Sequence, residues 1–241
     1  MGGGQINKKQ STGEITSGIE HRTFQLTIID FVHQQLPIWR DDTNRPDEQS
    51  EDKLNLQLCK FLDSCARKYF PMVRFNHEEF QTDQRRVDLS ASSVSSVRFG
   101  AKFYTIYDPI LVLEGKRLPA PSSDREKEYV TGTKPNKISG GIQRFKLGLH
   151  GAKHNLAVMI GYLQSQTNRH WHAKINSWIL ELVKDPIGDG CEWIAGETLK
   201  VFGVNTSNGV YRYHSIYSRT GEIVNNEIEL HHLWVAMNVE N

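Results

Sequence analysis

Glu114 and Lys116 stand at the end of a continuous apolar run, Ile110-Leu111-Val112-Leu113. Such a run reads as a strand buried on both faces. Residues two apart in a strand point to the same side, so Glu114 and Lys116 face one way together. Placing a carboxylate and an ammonium at the end of a buried strand is costly unless they serve something. Asp88 lies in a second short strand pattern, Arg85-Arg86-Val87-Asp88-Leu89. Two carboxylates from adjacent strands can hold Mg²⁺, which takes oxygen ligands. A lysine beside them can stabilise charge on a phosphoryl group or orient an attacking water. That set suits metal-dependent hydrolysis of a phosphodiester. The plain structural alternative is a Glu114–Lys116 ion pair at a strand end.

The elements that must position these groups follow from periodicity. Phe24, Ile28, Ile29, Phe31, Val32 and Leu36 give a helix that Pro37 should end. Between Asp41 and Asp52 there are six acids and one base, a polar loop containing Pro46. Leu54, Leu58, Phe61, Leu62 and Cys65 then form one stripe of an amphipathic helix, with Ser50 as its N-cap. Val73, Phe75 and Phe80 suggest a strand, 90–96 a serine-rich turn, and 119–139 an exposed loop with three prolines. A helix is expected over 139–149, a strand over 156–163 and a helix through Ile175, Trp178, Ile179, Leu182 and Val183. From Trp193 onward strands predominate. The 241 residues thus read as an α/β chain. Residues 1–45 form an N-terminal extension, partly flexible, with a helix. Residues 46–241 form the α/β domain with a β-rich C-terminal part.

Asp88 followed 26 residues later by Glu114-Gly115-Lys116, on an apolar strand, resembles the PD-(D/E)XK phosphodiesterase superfamily. The resemblance covers roughly residues 51–163, with Val87 where the family name has proline. It implies a restriction-endonuclease-like mixed central sheet flanked by helices. It implies that Asp88 and Glu114 bind Mg²⁺, or Mn²⁺ in its place. Lys116 then supports the water or the phosphate. Glu51, three residues before Leu54 and so on the inward face of its helix, adds to the metal shell. In Gly140-Gly141-Ile142-Gln143-Arg144-Phe145-Lys146, Gln143 matches a residue that reaches the active site in several branches of the superfamily, and Arg144 could contact a phosphate. A solvent-facing place on the helix is the alternative for Gln143.

Overall charge points nowhere, since 29 bases against 28 acids give a net charge of +1. From Glu114 to Lys153, however, there are nine bases and four acids. Arg117, Lys134, Lys137, Arg144, Lys146 and Lys153 are the candidates for phosphate contacts. The resemblance implies a nuclease acting on DNA in restriction or anti-phage defence, with a helicase or ATPase partner subunit supplying the motor this chain lacks. The alternative is a catalytically silent module of the same fold that binds nucleic acid or a partner protein.

Other chemistries find little support. There is no Gly-x-Ser-x-Gly elbow and no GxxxxGK[ST] phosphate loop. His150 and His154 are spaced for a helical metal pair, but no flanking Glu completes a protease motif and Gly151 weakens the helix. His170, His172, His231 and His232 make a scattered zinc site a minor alternative. Cys59, Cys65 and Cys191 read as reduced thiols of a cytoplasmic protein. No apolar run approaches the length of a bilayer span, MGGGQINKKQ is not a secretory signal, and Ile6 argues against myristoylation.

Overall fold

A computed structural model describes residues 20–81, 85–203, 208–220 and 225–238. Residues 1–19, the start of the extension expected to be partly flexible, lie outside them. Two helices open the described chain, α1 (His21–Arg40) and α2 (Glu51–Tyr69). Strands β1 (Val73–Phe80) and β2 (Arg86–Ser93) follow, then a hairpin of β3 (Val97–Phe99) and β4 (Lys102–Tyr104), then β5 (Pro109–Leu118). A 3₁₀ turn at Ser123–Tyr129 leads to α3 (Gly141–Lys146), β6 (Leu156–Leu163) and α4 (Asn168–Lys184). The chain finishes with β7 (Lys200–Val201), β8 (Val210–Ser218) and β9 (Glu227–Ala236).

Seven strands make one mixed sheet in the order β1-β2-β5-β6-β9-β8-β7. The central three, β5, β6 and β9, run parallel, and the outer pairings are antiparallel. The alternation of β6 explains the layering. Leu156, Val158, Ile160 and Tyr162 join one core with Leu54, Leu58 and Leu62 of α2 and with Ile28, Val32 and Leu36 of α1. Ala157, Met159 and Leu163 join a second core with Ile142 and Phe145 of α3 and Ile175 and Ile179 of α4. Helix α1 therefore shares its core with α2 and the sheet.

Three local expectations are corrected. Helix α1 runs through Pro37 to Arg40. Trp39, 1% exposed, anchors the final turn in the core and outweighs the backbone bond that proline forfeits. Ser90, Ser92 and Ser93 do not turn the chain; they continue β2 as buried residues. Their small side chains fit between layers, and the Asn76 amide donates to the Ser90 and Ser92 hydroxyls at 3.2 Å. The stretch 119–139 is not wholly exposed, because Glu128, Tyr129, Val130 and Thr131 are buried. Tyr129 accepts from Trp234 Nε1 at 2.9 Å, which ties this segment to β9.

Candidate functional site

Strand β5 delivers Glu114 and Lys116 to one buried point, 1% and 6% exposed. Lys116 Nζ lies 3.1 Å from Glu114 Oε1 and 2.6 Å from Glu51 Oε1. Glu51 is the first residue of α2, and its other oxygen accepts the Arg117 N–H at 3.1 Å. The helix start is thereby bound to the strand end through a side chain and a backbone amide. One turn later Asn55 sits against Gly115, where a Cβ would lie 2.0 Å from Asn55 Oδ1. Only glycine permits that approach. Asn55 Oδ1 also accepts from the Tyr162 hydroxyl at 2.7 Å.

Asp88 reaches the same place from β2. The β2–β5 register brings Leu89 opposite Leu113. Just past that pair, Asp88 Oδ2 accepts the Gly115 N–H at 2.8 Å. The acid thus holds the backbone of the residue between Glu114 and Lys116. Arg144 Nη1 of α3 lies 3.0 Å from Glu114 Oε1. His150 Nδ1 approaches the other oxygen, Glu114 Oε2, to 3.2 Å.

Protonation in this cluster is uneven. Burial, reinforced by the Glu114 and Glu51 carboxylates, pushes the Asp88 carboxyl well above the ordinary range, against the pull of Lys116 and the Gly115 N–H. Burial would also raise Glu114, but Lys116, His150 and Arg144 outweigh it and hold that carboxyl below its usual value. Burial opposes the charge on Lys116, yet Glu114, Glu51 and Asp88 hold its ammonium charged to higher pH than usual. Two carboxyls bracketing Gly115 are therefore driven in opposite directions. Such divergence is a signature of functional carboxylate pairs as well as of ion-pair networks.

The hydrogen-bond ledger does not close. Glu114 Oε2, His150 Nδ1, Asn55 Nδ2 and Arg144 Nε are all buried without a hydrogen-bond partner. The His150–Glu114 approach lacks the angle of a hydrogen bond. Buried polar groups are ordinarily satisfied, so a concentration of orphans at one charged point calls for a ligand, ion or water. Glu114 Oε2 makes no hydrogen bond and faces only His150 Nδ1 at 3.2 Å, and an oxygen donor so placed beside a second carboxyl fits a hard divalent cation. Among the described residues no three His, Cys, Asp or Glu side chains surround one metal position. Mg²⁺ asks for less: one or two protein carboxylates, with waters and substrate phosphate completing its shell.

The remaining expected residues are placed as follows. Gln143 does not reach this cluster, which corrects its expected active-site role. Fully buried, it accepts the Gly132 and Gly140 N–H groups at 3.0 Å each and donates to Asp189 at 2.6 Å. It fastens the turn that starts α3. Lys146 is also withdrawn from any phosphate-binding face: 1% exposed, it pairs with Glu197 at 2.6 Å and donates to the Ser218 carbonyl at 3.1 Å. Helix spacing explains both, since the side of α3 opposite Arg144 is turned into the protein. Arg117 bonds Gln164 Oε1 at 2.6 Å through its side chain. Lys134, Lys137 and Lys153 are exposed. His150 and His154 are both buried in the segment between α3 and β6, which is not helical, in keeping with the reading that Gly151 weakens a helix there. Cys59, Cys65 and Cys191 are free thiols.

The sequence did not mark His150, Asn55 or Tyr162 as members of this cluster. No spacing rule connects them to it, because each arrives from a different element. Among the described residues no helix is long and apolar enough to cross a membrane. No family model matches the chain, and no curated protein or solved structure does.

Proposed function

We propose that this chain is a Mg²⁺-dependent nuclease of the restriction-endonuclease-like type, hydrolysing phosphodiester bonds in DNA. The observation that carries the reading is the meeting of Glu51, Asp88, Glu114 and Lys116 from α2, β2 and β5, with Glu114 Oε2 buried and making no hydrogen bond. Asp88 and Glu114 would hold the cation. When bound, it would polarise a phosphoryl oxygen and lower the pKa of a water. The chain's own groups do the rest. Lys116 supplies a fixed positive charge where negative charge grows on the phosphoryl oxygens. Glu51 holds that ammonium in place. Arg144, a quarter exposed at its side chain, can leave Glu114 for a phosphate oxygen with a planar, charge-assisted contact. Gly115 lets α2 approach closely enough for Glu51 to take part.

The same contacts permit a second reading. A lysine closed between two carboxylates could be a finished ion-pair network in a module that binds nucleic acid without cutting it. Supercoiled plasmid and labelled linear DNA, incubated with the whole chain in Mg²⁺ or in EDTA, separate the two. Metal-dependent nicking that disappears in Asp88→Asn and Glu114→Gln supports the nuclease. Binding without cleavage in Mg²⁺ and Mn²⁺ alike favours the silent module.

A further inference from the structure

A cavity of about 560 Å³ opens between the ends of β1 and β4 and the loop before β6. Its lining includes Phe80, Phe103, Tyr107, Lys102, Lys153 and His154. Three features distinguish it. Phe80, Phe103 and Tyr107 are 61%, 55% and 81% exposed, an unusual gathering of aromatic rings in water. Positive charge accompanies the rings: Arg86 stacks over Phe80, with its charge 4.3 Å from the ring centroid, and Arg98 over Phe103 at 5.4 Å. Lys102 and Lys153 add two ammonium groups to the lining.

The acids that share the space are largely occupied. Asp108 accepts from the Thr105 backbone N–H at 2.8 Å and hydroxyl at 2.6 Å, and Glu79 accepts from Ser90 at 2.9 Å. Arg86 is paired with Glu78. The ring-bearing hairpin β3–β4 is anchored rather than loose. His21 of α1 stacks on Tyr104 and bonds its hydroxyl at 2.7 Å, while Phe99 packs on Phe24.

The cavity also adjoins the carboxylate cluster through one short segment. Leu149, Lys153 and His154 line it, and His150, between them in sequence, approaches Glu114 to 3.2 Å. Arg219 pins that segment by donating to the Gly151 and His154 carbonyls at 2.9 Å each. The 149–154 segment thus links the cavity lining to the cluster.

We infer that this cavity binds single-stranded DNA, its unpaired bases stacking on Phe103, Tyr107 and Phe80 and its phosphates meeting Lys102 and Lys153. Every base has a π-face, so exposed rings serve single strands without reading sequence, while paired bases in a duplex are hidden from them. Cations beside the rings match the backbone. The inference rests on the nuclease reading for what becomes of the strand, and names single-stranded or locally unpaired DNA as its substrate class.

The test is fluorescence anisotropy of the whole chain in EDTA. The probes are a labelled oligothymidylate of about twelve nucleotides, within the usual site size, and a duplex of equal length. The single strand should bind more tightly. Phe103→Ala and Tyr107→Ala should each weaken it at least about fivefold. Tyr107→Phe, which keeps the ring, should restore binding, so a loss through misfolding is recognised. Lys102→Gln with Lys153→Gln should lower the log–log salt slope by about 1.4. Equal affinity for the duplex, or unchanged single-strand binding in both ring variants, overturns the inference. Plasmid cleavage in Mg²⁺, measured alongside, keeps the two ideas apart. Ring-dependent binding without cleavage would sink the nuclease alone. Metal-dependent cleavage with ring-independent binding would sink this inference alone.

Discussion

Replacing Lys116 by Met tests the chemistry and the architecture together. Methionine keeps an unbranched stem in the packed strand and removes only the charge. At 2.6 Å from Glu51 and 3.1 Å from Glu114, an effective dielectric constant near 20 gives gross attractions of roughly 6 and 5 kcal/mol. Most of that gain offsets the desolvation of the three groups. Removing one partner of a buried pair ordinarily costs about 3–5 kcal/mol. Here the lower end applies, because Glu114 keeps Arg144 at 3.0 Å and Glu51 keeps the Arg117 N–H at 3.1 Å. A loss of about 3 kcal/mol lowers the melting temperature of a chain this size by roughly 6–12 °C. The residual negative charge should strengthen cation binding, so Mg²⁺ should raise the variant's melting temperature more than the wild type's. Plasmid cleavage at saturating DNA should fall by about 10²–10³-fold, the usual worth of one fixed charge-stabilising donor. Melting curves in EDTA and in Mg²⁺, with cleavage on the same samples, supply all three readouts. Wild-type cleavage in the variant would reduce Lys116 to an ion-pair partner. A variant more stable than wild type in EDTA would show that the lysine relieves no carboxylate charge, and the argument from pairing would fail.

Asp88→Asn should abolish cleavage yet stabilise the fold at neutral pH. Because burial raises the native Asp88 carboxyl, the folded chain binds this proton more tightly than the unfolded one, and stability is lost as pH rises from the ordinary carboxylate range through the raised value. Asparagine mimics the protonated acid, so the gap between variant and wild type in EDTA should widen from pH 4 to pH 8; a constant gap would contradict the raised value. His154 behaves in the opposite sense. Burial first, then neighbouring cations, lower it to about 4, so stability falls as pH drops from about 6.5 toward 4. His154→Asn should flatten that acid limb in thermal melts, and an unchanged limb would count against it. Gln143→Ala should cost about 1–3 kcal/mol for each buried partner left unsatisfied, while the cleavage rate per folded molecule stays at the wild-type value. A rate loss exceeding the loss of folded protein would restore Gln143 to the catalytic machinery.

Legibility in the sequence followed the range of each signal. The apolar run ending in Glu-Gly-Lys announced both the most buried part of β5 and the shared face of its two charged residues. The α2 stripe likewise placed Glu51 on an inward face. These are local patterns repeated at the period of one element, and packing agreed with them. Pro37 defeated the same reasoning because a distant core claims Trp39, two residues further on. Ser90 to Ser93 defeated it because turn-forming composition yields to a strand paired on both sides, where these serines are buried. Gln143 and Lys146 show a different limit. Their types suited phosphate chemistry, but which side of a six-residue helix meets Asp189 and Glu197 depends on residues some 50 positions away.

The site itself depends on meetings that no single element encodes. Asp88 comes from the strand beside β5 in the sheet, Glu51 from a helix across one face, and Arg144 and His150 from the helix and loop on the other. Each arrives charged or polar at a point where desolvation penalises all of them, and the resulting field drives Asp88 and Glu114 apart in protonation. A fold selected for stability alone would replace such a cluster with apolar side chains of the same volume, which often stabilises a buried ionic group. Its retention beside Glu114, His150, Asn55 and Arg144 atoms that make no hydrogen bond is the physical argument for the proposed role of this cluster. On the proposed nuclease reading, a divalent cation would give Glu114 Oε2 an ionic partner, and a DNA phosphate would offer the Arg144 guanidinium an anionic oxygen.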